Sequence, residues 1–379
     1  STILVNLRLI TGLPFLPTLL FTNPYGVGLP PGSTFAANYV AFAGLDYHTD
    51  TSPYVMQYNL TFQRELPGGL VASLGYVGSS GVHMFSERDQ NLTKGTAGGT
   101  GAIGSPSNPF SGMETNPAFG SLNNVAASSH STYHSLQASL NRQLSRNLVT
   151  QMSYTWSKCI DDGSVSSGLE QGSYEVTNAH NQRYDRGRCS FNIEHTFRAS
   201  GVYMLPFEGN KLVSGWQVSG IFNTYTGLPI NVQTGFNFPT QSNLQGIQGD
   251  RPNYSHAPGC SPDHVLGDPS RWFDPACYAL QPFGTLGDVP RHGITGPGFI
   301  NLDLALLKRT KISEKFEAQF RAEVFNVGNH PNFRSPSTPP GNTLFSGAVS
   351  APTSNPNAGR ILSTVNSSRQ IQFGLKLVF

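Results

Sequence analysis

The sequence predicts an all-β fold, an antiparallel transmembrane β-barrel with about ten strands, each near the ~9–11 residues that cross a bilayer when tilted. Three observations predict it. The chain ends on an alternating strand that stops at an aromatic residue, Phe379. Strand signals arrive in pairs, and the connections between them alternate between short turns and long loops. The composition suits strands that are apolar on one face only: charged residues make up 12% and hydrophobic residues 37% of the chain. An average soluble protein carries roughly 25% charge, and no run here approaches the ~18 apolar residues of a membrane helix.

The elements follow in chain order. Val5, Leu7 and Leu9 alternate with Asn6 and Arg8, which suggests a first strand near Ile3 to Ile10. Tyr54, Met56, Tyr58, Leu60 and Phe62 form one face of the next strand. A Pro67-Gly68-Gly69 turn follows, since glycine reaches positive φ without strain. Leu70, Ala72, Leu74 and Tyr76 carry the return strand. Leu136, Ala138 and Leu140 pair, through a turn near Ser145 to Asn147, with Leu148, Met152, Tyr154 and Trp156. Phe191, Ile193, Phe197, Ala199 and Tyr203 pair, through a turn near Glu208 to Asn210, with Trp216, Val218 and Phe222. Ile300, Leu302, Leu304 and Leu306 pair, through Ser313 to Lys315, with Phe316, Ala318, Phe320, Ala322 and Val324. Ile371, Phe373, Leu375, Leu377 and Phe379 close the series, alternating with Gln370, Gln372, Gly374 and Lys376. Period two places these two sets on opposite faces.

The long connections span Ser79 to Ser131, Cys159 to Ser190, Leu228 to Gly298 and Gly328 to Asn366. With Phe379 placed on the periplasmic side, every short turn falls there and every long loop falls outside. A soluble sandwich has no reason to obey that rule, and loops this long are uncommon in compact soluble domains. Tyr54 and Trp156 at the outer level, with Trp216 and Phe379 at the inner level, fit interfacial girdles. The division is an N-terminal segment, 1–53, holding a possible first strand and an external loop, followed by the barrel region, 54–379. The stretch Leu13 to Phe21 lacks the charged start and cleavage site of a signal peptide, so the start is read as processed or truncated.

All four cysteines fall in the long loops. Four cysteines allow three pairings. We choose Cys159–Cys189, which lie across the mouth of one hairpin, and Cys260–Cys277, within one loop; bridges suit an oxidising exterior. The rival is a metal site of His256, Cys260, His264 and Cys277, whose spacing matches no zinc pattern. Asp161, Asp162, Glu170, Glu175 and Asp185 give one loop an acidic bias. It reads as a solvated loop; a calcium site is the alternative, without EF-hand spacing.

Other chemistry is not indicated. Gly99 to Gly104 satisfies GxGxxG, but in a Gly/Ser/Pro-rich loop rather than between a strand and a helix. No GxSxG, HExxH or Walker segment occurs, so neither an enzyme nor a cofactor is expected. The 24 Lys+Arg nearly cancel the 22 Asp+Glu, which gives no reason to expect nucleic acid. Glu194, Arg198, Asp303, Glu317, Arg321, Glu323 and Lys376 share the polar parity and are expected to form a mixed-charge network between strands. His195 lies on the apolar parity and is expected to find a local hydrogen-bond partner.

Two resemblances add to this reading. The terminal strand Ile371, Phe373, Leu375, Leu377 and Phe379 resembles the signal by which bacterial outer-membrane barrels reach the barrel assembly machinery. Gln63 to His83, Tyr133 to Asp162, Gly215 to Val232, Trp272 to Tyr278 and Phe320 to Phe333 together resemble the C-terminal barrel of Oar-like TonB-dependent receptors. That resemblance implies active import through a larger barrel in the outer membrane lipid, with TonB moving an N-terminal plug. The chain is short for such a barrel, and no plug is recognised in it. The alternative is a small standalone outer-membrane barrel with a structural or adhesion role.

Overall fold

The computed structural model describes residues 42–45, 51–89, 122–145, 147–164, 177–178, 181–235, 250–261, 263, 265–281, 286–337, 340–348 and 351–379. The expected strand at Ile3 to Ile10, the stretch Leu13 to Phe21 and the Gly99 to Gly104 motif lie outside them.

Nine long strands form one antiparallel sheet: β1 (Tyr54–Leu66), β2 (Leu70–Asp89), β3 (Leu122–Ser145), β4 (Leu148–Asp161), β5 (His195–Met204), β6 (Trp216–Tyr225), β7 (Phe299–Lys311), β8 (Glu317–Phe325) and β9 (Gln370–Val378). They neighbour one another strictly in chain order, so every hairpin is local. Two short pieces join the sheet: Phe42–Leu45 runs parallel to the start of β3, and Gly187–Arg188 pairs with the end of β4.

The register shows what each face carries. Phe62, Leu74, Ala138, Tyr154, Phe197, Thr224 and Ile300 stand opposite one another across seven strands. One residue along each strand, the row reads Gln63, Ser73, Ser139, Ser153, Arg198, Asn223 and Asn301. An almost wholly apolar row therefore backs a wholly polar one. Large apolar side chains of this parity stand open to the surroundings: Phe62 is 68% exposed, and on β9 Phe373 is 72% and Leu375 71% exposed. A soluble domain would bury these side chains, each worth roughly 1.5–3 kcal/mol.

Short connections at 67–69, 146–147, 205–215 and 312–316 lie at one end, with Phe379, whose ring is 6.4 Å from that of Phe316. At the same end Lys308, on the apolar parity, is buried under the Trp216 ring at 5.3 Å, and its ammonium donates to the carbonyls of Lys211 and Ser214. The strand ends that bear the four long connections lie at the other end.

Three boundaries differ from expectation. β2 and β3 run far past Ser79 and Ser131, because the ladder crosses a bulge between Gly81 and Met84. His83 takes a φ of 58° there, so the SSGVH segment is absorbed as a kink and not a loop start. Phe191 and Ile193 precede β5 and are not in it: the Asn192 carboxamide oxygen accepts the Cys159 N–H at 2.7 Å and diverts the ladder. The 205–215 turn is wider than Glu208 to Asn210, with Asn210 Oδ1 accepting from Leu212 and Val213 N–H groups.

Candidate functional site: a folded loop cap over the polar face

Parts of three of the long connections, after β4, β6 and β8, build one folded cap. Its small core holds Ile230, Val232, Phe273, Cys277, Tyr278, Val289, Ile294, Leu344 and Ala358. Short ladders tie it: Pro229–Ile230 with Ile294–Thr295, Asn253–Tyr254 with Tyr278–Ala279, and Phe345–Ala348 with Ala351–Ser354. Cross-links between connections include Leu344 N–H to the Gln233 carbonyl at 2.9 Å and Trp272 N–H to the Gly359 carbonyl at 2.7 Å. Desolvation in this core pushes the Tyr278 phenol up.

Ser157, Cys159 and Asp161 continue the polar parity of Ser153 and Thr155, which aims their side chains at the cap. Cys159 is bonded to Cys189, with Cα atoms 5.4 Å apart. Cys260 is bonded to Cys277, with Cα atoms 5.5 Å apart. His264 lies outside the described residues, and the two thiols of the rival metal set are consumed in that bond.

Three arginines anchor the cap. Arg291, 1% exposed at its side chain, donates to Asp161 Oδ1 at 2.8 Å, the Asp161 carbonyl at 3.1 Å, the Asp185 carbonyl at 2.9 Å and Ser164 Oγ at 2.9 Å. It also donates to the Ser164 carbonyl. Arg251 donates to Asp185 Oδ1 at 3.0 Å, and its guanidinium lies 4.0 Å from the Tyr184 ring centre. The Tyr184 hydroxyl donates to the Gly287 carbonyl at 2.6 Å; burial, ahead of the opposing pull of Arg251, pushes its pKa up to about 12. Arg188 forks onto the His292 carbonyl, the Gly293 carbonyl and Thr295 Oγ1 at 2.6–2.8 Å, and desolvation lowers its pKa. His292 returns a bond to the Arg188 carbonyl at 2.6 Å; burial, and then Arg291, push its pKa down to about 3, so it is neutral. Gly187 is needed where it stands: a Cβ there would sit 2.5 Å from the Arg291 carbonyl.

The expected solvated acidic loop is thereby corrected. Asp161, Asp162 and Asp185 are buried. Asp161 and Asp185 face arginines, and Asp162 accepts the His130 N–H at 2.7 Å. Carboxylates already neutralised in this way leave little for calcium; Glu170 and Glu175 lie outside the described residues. Sequence reasoning missed the arginines because their partners lie 66 to 130 residues away along the chain, beyond any local pattern.

Beside the cap, the 189–194 segment overhangs a half-open cavity of about 330 Å³ on the polar face of β3, β4 and β5. Tyr133, Ser153, Thr155, Ser157, Thr196 and Arg198 floor it, and Phe191, Asn192 and Ile193 overhang it. Ser157 Oγ donates to the Ile193 carbonyl at 2.7 Å and holds the segment down. Of the other expected polar-parity charges, Arg321 lies 3.7 Å from Glu323 along the same strand, Glu323 accepts from Gln372 across to β9, and Asp303 accepts the Asn326 N–H at 2.8 Å. On the opposite face His195 has its local partner, the Tyr154 hydroxyl at 2.8 Å, and stacks between the Tyr154 and Trp156 rings.

An antiparallel, chain-ordered sheet with an apolar outer parity, a polar opposite parity and loops gathered at one end defines an outer-membrane β-barrel protein. The family model described as an outer membrane beta barrel domain matches residues 7–372, and the chain belongs to that family. No curated protein matches it. Among solved structures it is similar to the outer membrane transporter YddB of Escherichia coli: 11% identity, TM-score 0.45, covering 86% of this chain and 33% of that one. The pyoverdine outer membrane receptor FpvA of Pseudomonas aeruginosa gives 13% identity and TM-score 0.39, covering 86% and 30%. The FrpB iron transporter of Neisseria meningitidis gives 11% and 0.40, covering 89% and 33%. The chain spans about a third of the length of each.

Proposed function

We propose that this chain is barrel wall from a TonB-dependent receptor of the Oar-like kind, whose external cap binds a substrate that then enters along the polar face. One observation carries the reading: the cap is folded directly onto the polar parity, through Cys159, Asp161 and Ser157, and beside a cavity in it. A cap that served only to decorate the surface would have no reason to be built on that face. The family resemblance of the five segments supports the same reading. Residues 54–379 form the barrel region, and residues 1–53 precede it as an N-terminal segment whose Phe42–Leu45 piece pairs with β3.

The partners follow from surfaces. Outer membrane lipid meets the exposed apolar rows. The barrel assembly machinery reads Ile371, Phe373, Leu375, Leu377 and Phe379 on β9. The outer edges of β1 and β9 do not pair with each other, and among the described residues nothing else pairs with them. Lipid does not tolerate open edges, so further strands of a longer receptor complete the wall, and a plug coupled to TonB fills it. The same open edges weigh against the standalone adhesion barrel, in which β1 and β9 would have to meet.

The test uses the natural gene product in its own outer membrane. Photo-crosslinking of the receptor to TonB is expected, and it should require the proton-motive force. Absence of that crosslink, together with a stable open conductance from the receptor in planar bilayers, would overturn the receptor reading.

A further inference from the structure

We propose that the cavity beneath the 189–194 segment binds an anionic sugar of the hexuronate class, with its carboxylate on Arg198 and its ring against Phe191 and Tyr133. This rests on the substrate-binding reading above and names the substrate class for it.

The lining states the chemistry. Ser153, Thr155 and Thr196 present hydroxyls from neighbouring strands, and the Tyr133 phenol adds a fourth. Among the described residues none of these hydroxyls has a hydrogen-bond partner. A hydroxyl both donates and accepts, so a wall of them matches a ligand that is itself hydroxylated on several sides. Arg198 is the sole charged group of the lining, is solvent-open and has no ion-pair partner among the described residues. A guanidinium offers a planar fork that fits a carboxylate with two bonds. Phe191 stands 64% exposed above this floor, giving an apolar face of the kind that sugar rings cover. The volume, about 330 Å³, lies at the small end of the roughly 300–1,000 Å³ of ligand sites.

The geometry disfavours a peptide. An extended peptide gains affinity by adding to a free strand edge, and the floor here is the paired interior of β3, β4 and β5. A largely apolar ligand finds four hydroxyls and a cation where it needs hydrocarbon.

Isothermal titration of the purified protein in detergent micelles, with digalacturonate and with the neutral digalactose that replaces each carboxylate by a hydroxymethyl group, tests this. The acidic disaccharide should bind at least about tenfold tighter. Arg198→Gln should bring the two within about twofold while keeping affinity for the neutral sugar, which also reports that the variant is folded. Arg198→Lys, which keeps charge but loses the fork, should fall between. Arg321→Gln, which removes a polar-face cation outside the cavity, should leave the preference intact. Phe191→Ala should weaken both sugars at least threefold. Equal affinities in the wild type, a preference that survives Arg198→Gln, or heat from neither sugar overturns the assignment. Binding is read without transport, so its failure leaves the TonB crosslink standing, and loss of the crosslink leaves the titration standing.

Discussion

Replacing Arg291 with methionine tests whether buried charge holds the cap on the barrel. Arg291 makes five bonds to three stretches of chain, around Asp161, Ser164 and Asp185, from a nearly sealed position. Methionine fills much of the same volume but returns none of them. The Asp161 carboxylate, 8% exposed, is then left buried without its cation. Breaking one side of such a pair costs about 3–5 kcal/mol. At 1.4 kcal/mol per decade, the open cap becomes roughly a hundred- to several-thousand-fold more populated. Protease cleavage tracks that population when the cap opens and closes faster than it is cut. Limited proteolysis of the protein in lipid vesicles should therefore clip the 162–194 and 226–298 connections faster by at least about a hundredfold. The β-ladders are untouched, so the unboiled barrel should keep its folded migration on a gel. Asp161→Asn combined with Arg291→Met should recover part of the loss, because the stranded carboxylate is its largest component. Cleavage within about threefold of wild type would refute the reasoning and reduce the arginines to surface ornaments.

Three further outcomes are expected. Cys159→Ser with Cys189→Ser releases a bridge of sequence separation 30; loop entropy puts this at about 3–4 kcal/mol, read as faster cap proteolysis with unchanged barrel migration, and equal resistance would count against it. Phe373→Arg, on the apolar parity, should cost about 2–4 kcal/mol in urea unfolding from bilayers, whereas Gln372→Arg, beside Glu323, should cost under ~1 kcal/mol; similar losses for both would reverse the assignment of faces. His292 has a folded pKa of about 3 against about 6.5 unfolded. Between those values the unfolded state binds the extra proton, so cap stability falls as pH drops through that window and is flat above it. The loss should reach about 2 kcal/mol by pH 5, and His292→Gln should flatten the wild-type slope of cap proteolysis between pH 5 and 7.

The strands and their faces were legible because a half-immersed strand writes its surroundings at every second residue. Phe373 and Gln372, or Tyr154 and Ser153, announce opposite faces with no knowledge of neighbours. The alternation of short and long connections was legible for the same reason: it is a property of order along the chain. The bulge at His83 escaped because SSGVH reads equally as a turn, and only the continued pairing of Met84 with Ser129 shows that the ladder survives it. Asn192 escaped because its side chain replaces a ladder bond that sequence assigns to backbone.

Sequence by itself determined the class of this protein, since sidedness is local and repeats along each strand. Tertiary structure alone decided the cap and its cavity. Arg251 and Arg291 are single cations in unpatterned loops until folding brings them to Asp185 and Asp161. Isolated Ile230, Phe273, Val289 and Leu344 become a core only when the connections after β6 and β8 meet. Such contacts join residues far apart in the chain, and no period along the chain encodes them.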